Sequence, residues 1–594
     1  MGFLGIVQPR SGDGESQELP TLDVTGTFAM TREAVEAMRH AGHDTGVDDL
    51  QRTKKGIVLN PQPSKHTRDP LNWPIWRRDL ALVCVGWHCF VGGGQTSMLA
   101  AGFSKLSAEL HVPISQVSFL VGPMMLALAI GSVVASPTAV LFGKRMVYLM
   151  GILIFLGGSI GCALSNSFAS LLIFRMVSGF GLSTVESLPS ATIAEIYFAH
   201  ERAYRLGLYT LLLLGGKNLV PLLGSLVFEN LTTHWLFWIL TIIAGVNFVL
   251  HLLFVPETFW DRTPVPNERS LEETIIARET QAVVCNLSHR TPSLGESTSQ
   301  SEDDHIGKDP PKQLYDQKND DATEAPSRIR SHINSMTQSH LTTGLGIFHG
   351  RHTMDKWRMV LLRPFVLCSY PAVLLGALMY AFAVVFLIMV SQVIDHAYKD
   401  LYGFSSASVG LVYIAPFVGG CLGSLCAGKL SDLLVRSLAM RNHGIYEPEF
   451  RLFMAIPAVI STAAGLLGFG FSLKNQAHWI VPTIFFGVLG FGSSMCSTTG
   501  ITYAVDSYKH FAQESLVTFN IFKNVLGFAF SFFNVNFSLQ AGYDKAFLCY
   551  TVIELVLGVC AIVIYRWGKL CRSWTDRKAL MQFSYHRGER ESSV

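Results

Sequence analysis

The chain has 594 residues, a net charge of +2 and a mean hydropathy of +0.34, with 49% hydrophobic residues and 15% Asp, Glu, Lys and Arg. A soluble domain carries nearer a quarter charged residues, and so small a net charge gives no case for a nucleic-acid partner. Eleven cysteines are present, but most fall in apolar runs and none forms a CxxC, which argues against a disulfide framework or a zinc site.

Residues 1–79 are polar, with scattered Gly, Ser and Pro and no sustained period, the composition of a disordered tail. No cleavable signal peptide is visible, because the first apolar run begins near Leu80. Runs of the length that crosses a hydrocarbon core of about 30 Å are predicted at 80–101, 117–141, 147–165, 170–194, 206–227 and 235–255. A strongly polar stretch, 256–363, follows; it includes "SEDDHIGKDPPKQLYDQKNDDATEAPS" and lacks the apolar surface to fold by itself. Six more runs are predicted at 364–394, 406–428, 452–472, 479–504, 516–540 and 546–565, before a basic tail, 566–594. The expected architecture is an all-α membrane protein of twelve transmembrane helices. Two six-helix bundles, 80–255 and 364–565, flank the linker.

Orientation is read from Lys and Arg in the short loops. With the N-terminus inside, the inner loops carry Lys144, Arg145, Arg202, Arg205, Lys429, Arg436, Arg441, Arg451 and Lys509, and the outer loops only Lys105, Lys399, Lys474 and Lys545. The bias predicts both termini and the linker in the cytosol, with the plasma membrane the expected location. Of the Asn-X-Ser/Thr sequons, Asn286 falls in the linker and Asn536 in a span, leaving Asn230 as the one candidate for glycosylation.

Four segments carry chemistry. "RDPLNWPIWRRD" (68–79) sets two prolines against two tryptophans at a predicted interface, where the plain reading is membrane anchoring. "SPTAVLFGKRMVYL" (136–149) is a basic inner loop, and "GKLSDLLVR" (428–436) is its counterpart in the second half. "LLIFRMVSGFG" (171–181) puts Arg175 about 8 Å inside the bilayer, where it must face protein or a watered cavity or else snorkel. Eleven residues later Glu186 falls within about 20° of the same helical face; a carboxylate inside a membrane is a candidate functional group, and the alternative is a hydrogen bond to a neighbouring helix. "GGKNLVPLLGS" (215–225) supplies small residues for close helix approach, a proline, and the buried cation Lys217. Counting rise per residue puts Glu186 about 10 Å and Lys217 about 16 Å from the inner ends of their spans, a gap that a lysine side chain bridges. Gln95, Lys523, Asn524, His88, Gln392 and Glu554 complete the polar set inside the spans.

Over about 68–566 the chain resembles the major facilitator superfamily, in particular the twelve-span, drug:proton antiporter-like branch of fungi. The resemblance rests on the 68–79 stretch and on Gly143, Lys144 and Arg145, with Val140 where the family carries an acid. It rests also on Gly428, Lys429, Asp432 and Arg436, on Arg175 and Gly179, and on Gly216, Pro221 and Gly224 of the antiporter signature, in which Val220 and Ser225 replace two glycines. "RNHGIYEPEFRL" (441–452) and "YAVDSYKHFAQESLVTFNIFKN" (503–524) look like the same branch.

The resemblance implies two pseudo-symmetric halves with substrate between them. The expected function is secondary transport of a small organic molecule, as proton-coupled efflux of a drug, toxin or secondary metabolite. Alternatives are uptake of a polyamine or another organic cation, and a transporter-fold nutrient sensor. No enzymatic motif, cofactor or metal site is expected; the partners are protons, substrate and the lipid bilayer, and the chain is expected to be a monomer. Glu186 is expected to carry the proton, paired with Lys217. Arg175, Gln95, Lys523 and Asn524 are expected to give the cavity its polarity, and the Gly143–Arg145 and Gly428–Arg436 loops to respond to conformation.

Overall fold

In a computed structural model the described residues are 6–7, 28–29, 69–259, 346, 348, 350–351, 356–442, 445–578 and 580–581. Most of the predicted 1–79 tail and of the 256–363 linker lies outside them. Among the described residues eleven helical segments are long and apolar enough to cross a membrane. A twelfth helix, α1 (Ile75–Gly93), packs among them; Arg77, Arg78 and Asp79 near its start make it less apolar than the rest. It stops at the Gly92–Gly94 run, so residues expected to complete the first span to 101 are turns instead. Consecutive glycines leave the helix backbone little to hold it.

The first half continues with α2 (Phe103–Leu110), α3 (Val121–Phe142) and α4 (Lys144–Leu164). The fourth span is broken into α5 (Phe168–Leu182), α6 (Thr184–Ser187) and α7 (Pro189–Ile196), and α8 (Ala199–Asn230) and α9 (Thr233–Phe254) follow. Pro189, which cannot donate to the preceding turn, starts α7 and accounts for one of the two breaks. The second half runs through α10 (Trp357–Val366), α11 (Pro371–Tyr402), α12 (Ser406–Val412), α13 (Ile414–Leu425) and α14 (Ser431–Arg441). It ends with α15 (Ala455–Lys474), α16 (Ile480–Ser507), α17 (Ala512–Ala541) and α18 (Tyr543–Lys578).

The same pairings recur in both halves. α1 packs on α8 and α9, α3 and α4 on α5, and α4 on α9; α11 packs on α17 and α18, α13 and α15 on α16, and α15 on α18. This is the pseudo-symmetry expected of two six-helix bundles. Between the halves, α3 lies along α17 and α8 along α12 and α13.

The end of the bundle where Ile6 docks and the helix α18 finishes, the tail end, is held by ions. The backbone amides of Lys144 and Arg145 each donate to the Glu257 carboxylate at 3.0 Å, Lys144 Nζ pairs with Glu195 at 2.7 Å, and the Arg145 guanidinium donates to carbonyls of Leu252 and Val255. Val140 therefore does not leave this loop without an ion pair; carboxylates from beyond α9 and from α7 take the place of the missing acid. In the second half the signs are reversed. Glu447 and Glu449 lie in the loop and Lys569 and Arg572 on the final helix, paired at 2.7 Å in each case. Asp432 meets Arg451 at 3.4 Å, while Gly428 and Arg436 are exposed. The expected tail boundary at 566 is corrected accordingly: α18 runs on to Lys578, because Lys569 and Arg572 are buried against those two acids.

Two pieces of the N-terminal segment also dock on this end. The strand β1 (Phe28–Ala29) pairs antiparallel with β2 (Ile445–Tyr446), and Ile6 is buried against Tyr446 and Phe450. Just outside the spans, Tyr197 donates to Asp79 at 2.7 Å, and burial and that bond push its phenol above the ordinary range.

Candidate functional site

Glu186 sits on the one-turn helix α6, between the two breaks of the fourth span. A continuous helix would direct its carboxylate along one helical face; the breaks turn this segment against α17 of the other half. There Lys523 forms an ion pair with Glu186 Oε1, Asn524 Nδ2 donates to Oε2 at 2.6 Å, and Asn520 Nδ2 donates to the Glu186 backbone carbonyl at 2.8 Å. Tyr380 of α11 donates to Asn520 Oδ1 at 3.3 Å. Lys523, Asn524 and Asn520 stand one turn or less apart on α17, so a single helical face reads both oxygens and the main chain. The side chains are only 5% and 12% exposed for Lys523 and Glu186.

Behind Glu186, Thr184 accepts from His88 Nε2 at 3.0 Å, and Asn247 donates to His88 Nδ1 at 2.9 Å. The ring of His251 lies 5.2 Å from that of His88. Both nitrogens of His88 are thus engaged structurally, and the site is braced on α1 and α9.

The expected Glu186–Lys217 pair does not form. Glu186 bonds to Lys523 instead, while Lys217, on α8, has no carboxylate partner among the described residues. Counting rise along a helix gives depth but not which helix faces it from the opposite half. Lys217 nevertheless lies within electrostatic reach of both Glu186 and Lys523.

Arg175 and Gln95 form a separate knot. Arg175 donates to the Gln95 carbonyl at 3.1 Å, and both are buried at 1% and 2% exposure. Gln392 belongs to a third network, in α11, α17 and α18: it donates to Ser531 at 2.6 Å and accepts from Asn534 at 3.0 Å. Glu554 is fully buried on α18, with the Cys496 thiol 3.8 Å away.

The antiporter-like residues lie where α8 crosses α1. A Cβ on Gly216 would strike the Phe90 carbonyl, and one on Gly224 would stand 3.0 Å from the Met98 carbonyl. Pro221 lies inside α8 without ending it. Val220, where the signature has glycine, packs on Gly94 of the partner segment, and Ser225 on Gly410 of the second half. At each of these contacts a glycine stands opposite the larger residue.

Asp395 is a functional candidate that the sequence reading missed. It is 0% exposed at the far end of α11 and accepts from both the amide and the hydroxyl of Ser104, at 2.7 Å each; Lys399 pairs with it at 2.7 Å. Ser104 is in the first turn of α2, whose N-cap Gly102 offers no side chain, so the second half caps a helix of the first. Nothing in a one-dimensional reading joins residues 291 positions apart. Asn230 ends α8 at the same far end, exposed, with its amide turned back to the Leu226 carbonyl at 3.0 Å.

Comparison with known proteins matches residues 89–532 to the sequence model described as Major Facilitator Superfamily. Protein HOL1 of Saccharomyces cerevisiae is 26% identical over 567 residues, covering 91% of this chain and 94% of its own. MFS antiporter QDR3 of Candida albicans is also 26% identical over 567 residues, covering 86% and 80%. Among solved structures, the partially occluded inward-open xylose transporter XylE from E. coli superposes with a TM-score of 0.53 at 12% identity, over 82% of this chain and 97% of its own.

Proposed function

Because the chain belongs to the Major Facilitator Superfamily, we propose that it is a secondary active transporter that moves a small organic molecule through the interface between its halves, coupled to protons at Glu186. The observation that carries this reading is the ion pair of Glu186 with Lys523, which joins α6 of one half to α17 of the other. Adding a proton to Glu186 removes the charge that holds Lys523, so protonation and the association of the halves bear on one another. Alternating access by rocking of two bundles rearranges contacts of this kind at their interface.

Export of a drug, toxin or secondary metabolite is the direction we favour. It has the support of the relative named an antiporter and of the helix crossing at Gly216 and Gly224. Uptake of an organic cation is the weaker reading, since the cluster around Glu186 holds more ammonium than carboxylate. We place the tail end in the cytosol on the strength of the loop-charge bias, and propose a monomer in the plasma membrane.

Proton movement is readable before the cargo is known. Vesicles containing the purified protein and an internal pH dye are challenged with a library of drugs and metabolites. Wild type gives a substrate-dependent proton signal. Glu186→Gln keeps the shape and hydrogen bonding of the side chain, loses the proton signal, and retains exchange of labelled substrate. A Glu186→Gln protein with normal proton-coupled transport overturns the assignment.

A further inference from the structure

The charges around Glu186 do not balance. Lys217 and Lys523 bring two ammonium groups and Glu186 one carboxylate, and Lys523 is the lysine that pairs with it. The remaining cation, Lys217, is partly exposed at the level where α8 faces both halves. Its backbone carbonyl accepts from Ser97 of the first half at 2.7 Å, and Leu214, one turn earlier, packs on Gly420 of the second. An ammonium held among apolar helices without a carboxylate is costly, and a counter-ion relieves that cost.

Aromatic rings stand close by on both sides. Phe90 from the first half and Phe417 from the second meet α8 at Gly215, 3.5 and 3.7 Å from where its Cβ would be. Beside the Glu186–Lys523 pair, Tyr380, which donates to Asn520, stacks on Phe519 at 5.9 Å.

We infer that the substrate is an organic anion with an apolar or aromatic body, and that Lys217 binds its acidic group while Glu186 and Lys523 remain paired. A monoanion bound to protonated Lys217 leaves the cluster without net charge, so the loaded site is the more easily carried through the low-dielectric interior. An inside-negative membrane potential drives such an anion outward, the direction proposed above. The inference rests on the transporter reading but not on Glu186 as the proton carrier.

The test uses the full chain in lipid nanodiscs at one pH, with thermal unfolding as the readout. The probes are a panel of aromatic carboxylates, naphthylacetate among them, each beside its neutral amide and its ammonium counterpart. Carboxylates stabilise wild type, and the amides and ammonium compounds do not. Lys217→Ala raises the concentration needed by about ten- to a hundredfold, the loss of one charge-assisted contact, while Lys217→Arg stays within about threefold. Stabilisation by the ammonium members, equal potency on Lys217→Ala, or no carboxylate effect across the panel overturns the inference. The two readings fail separately. Carboxylate stabilisation that depends on Lys217 upholds the anion assignment whatever Glu186→Gln does to proton-coupled transport, and normal proton-coupled transport by Glu186→Gln overturns the proton assignment alone.

Discussion

Glu186 is satisfied from one helix of the opposite half, and that concentration makes it sensitive to single changes. Lys523→Met leaves a nearly buried carboxylate with amide partners only, and such orphaned charges destabilise by about 3–5 kcal/mol. The Glu186→Gln/Lys523→Met double mutant removes both charges and is expected to recover most of that loss. Thermal unfolding of the three purified proteins in detergent checks it; a double mutant no more stable than Lys523→Met refutes the pair as the main partner. Glu186, Lys523 and Asn524 were each legible in the sequence as polar groups in apolar runs. Their grouping was not, because hydropathy and helical rise give depth within a span and say nothing of which span stands opposite. The same blindness paired Glu186 with Lys217, which matches it in depth within its own half.

Among the elements, the span plan was the most legible part, since a run of about twenty apolar residues between polar loops fits a bilayer crossing and little else. Where helices stop was less so. α18 passes the end of its apolar run because buried acids outside the run hold its next turns, and α1 stops early at its glycines. At the tail end of α4, Glu257 caps two backbone amides. Glu257→Gln is expected to destabilise the protein by about 1.5–3 kcal/mol through loss of charge-assisted bonds, measured by thermal unfolding, without changing which probes bind. The crossing of α8 with α1 adds a caution. Read along one helix, Val220 weakens the small-residue signature; read across the contact, Gly94 supplies the small residue and leaves room for the valine.

At the scale of the whole molecule, the two halves meet within the spans at Glu186 and again at the far end through Asp395 and Ser104. Opening the far end must break the second contact. Asp395→Asn weakens the charged cap and frees Lys399, so far-end-open molecules are expected to rise about tenfold. Maleimide labelling of a cysteine placed at Ser225, which packs on Gly410 across the interface, reads this as faster modification from the far side. An unchanged rate means that Asp395 does not hold the halves together.

The reversed charges at the tail end bear on how the chain is made. In the first half the cations of the loop, Lys144 and Arg145, emerge from the ribosome before the acid, Glu257; in the second, Glu447 and Glu449 emerge first and wait for Lys569 and Arg572. A chain ended at Tyr565 is expected to be cleared from cells, whereas one ended at Met581 accumulates normally; comparable steady-state levels of the two by immunoblot would refute this. The acids laid down in that loop thus stay without their partners until the last turns of α18 have been made, more than a hundred residues later.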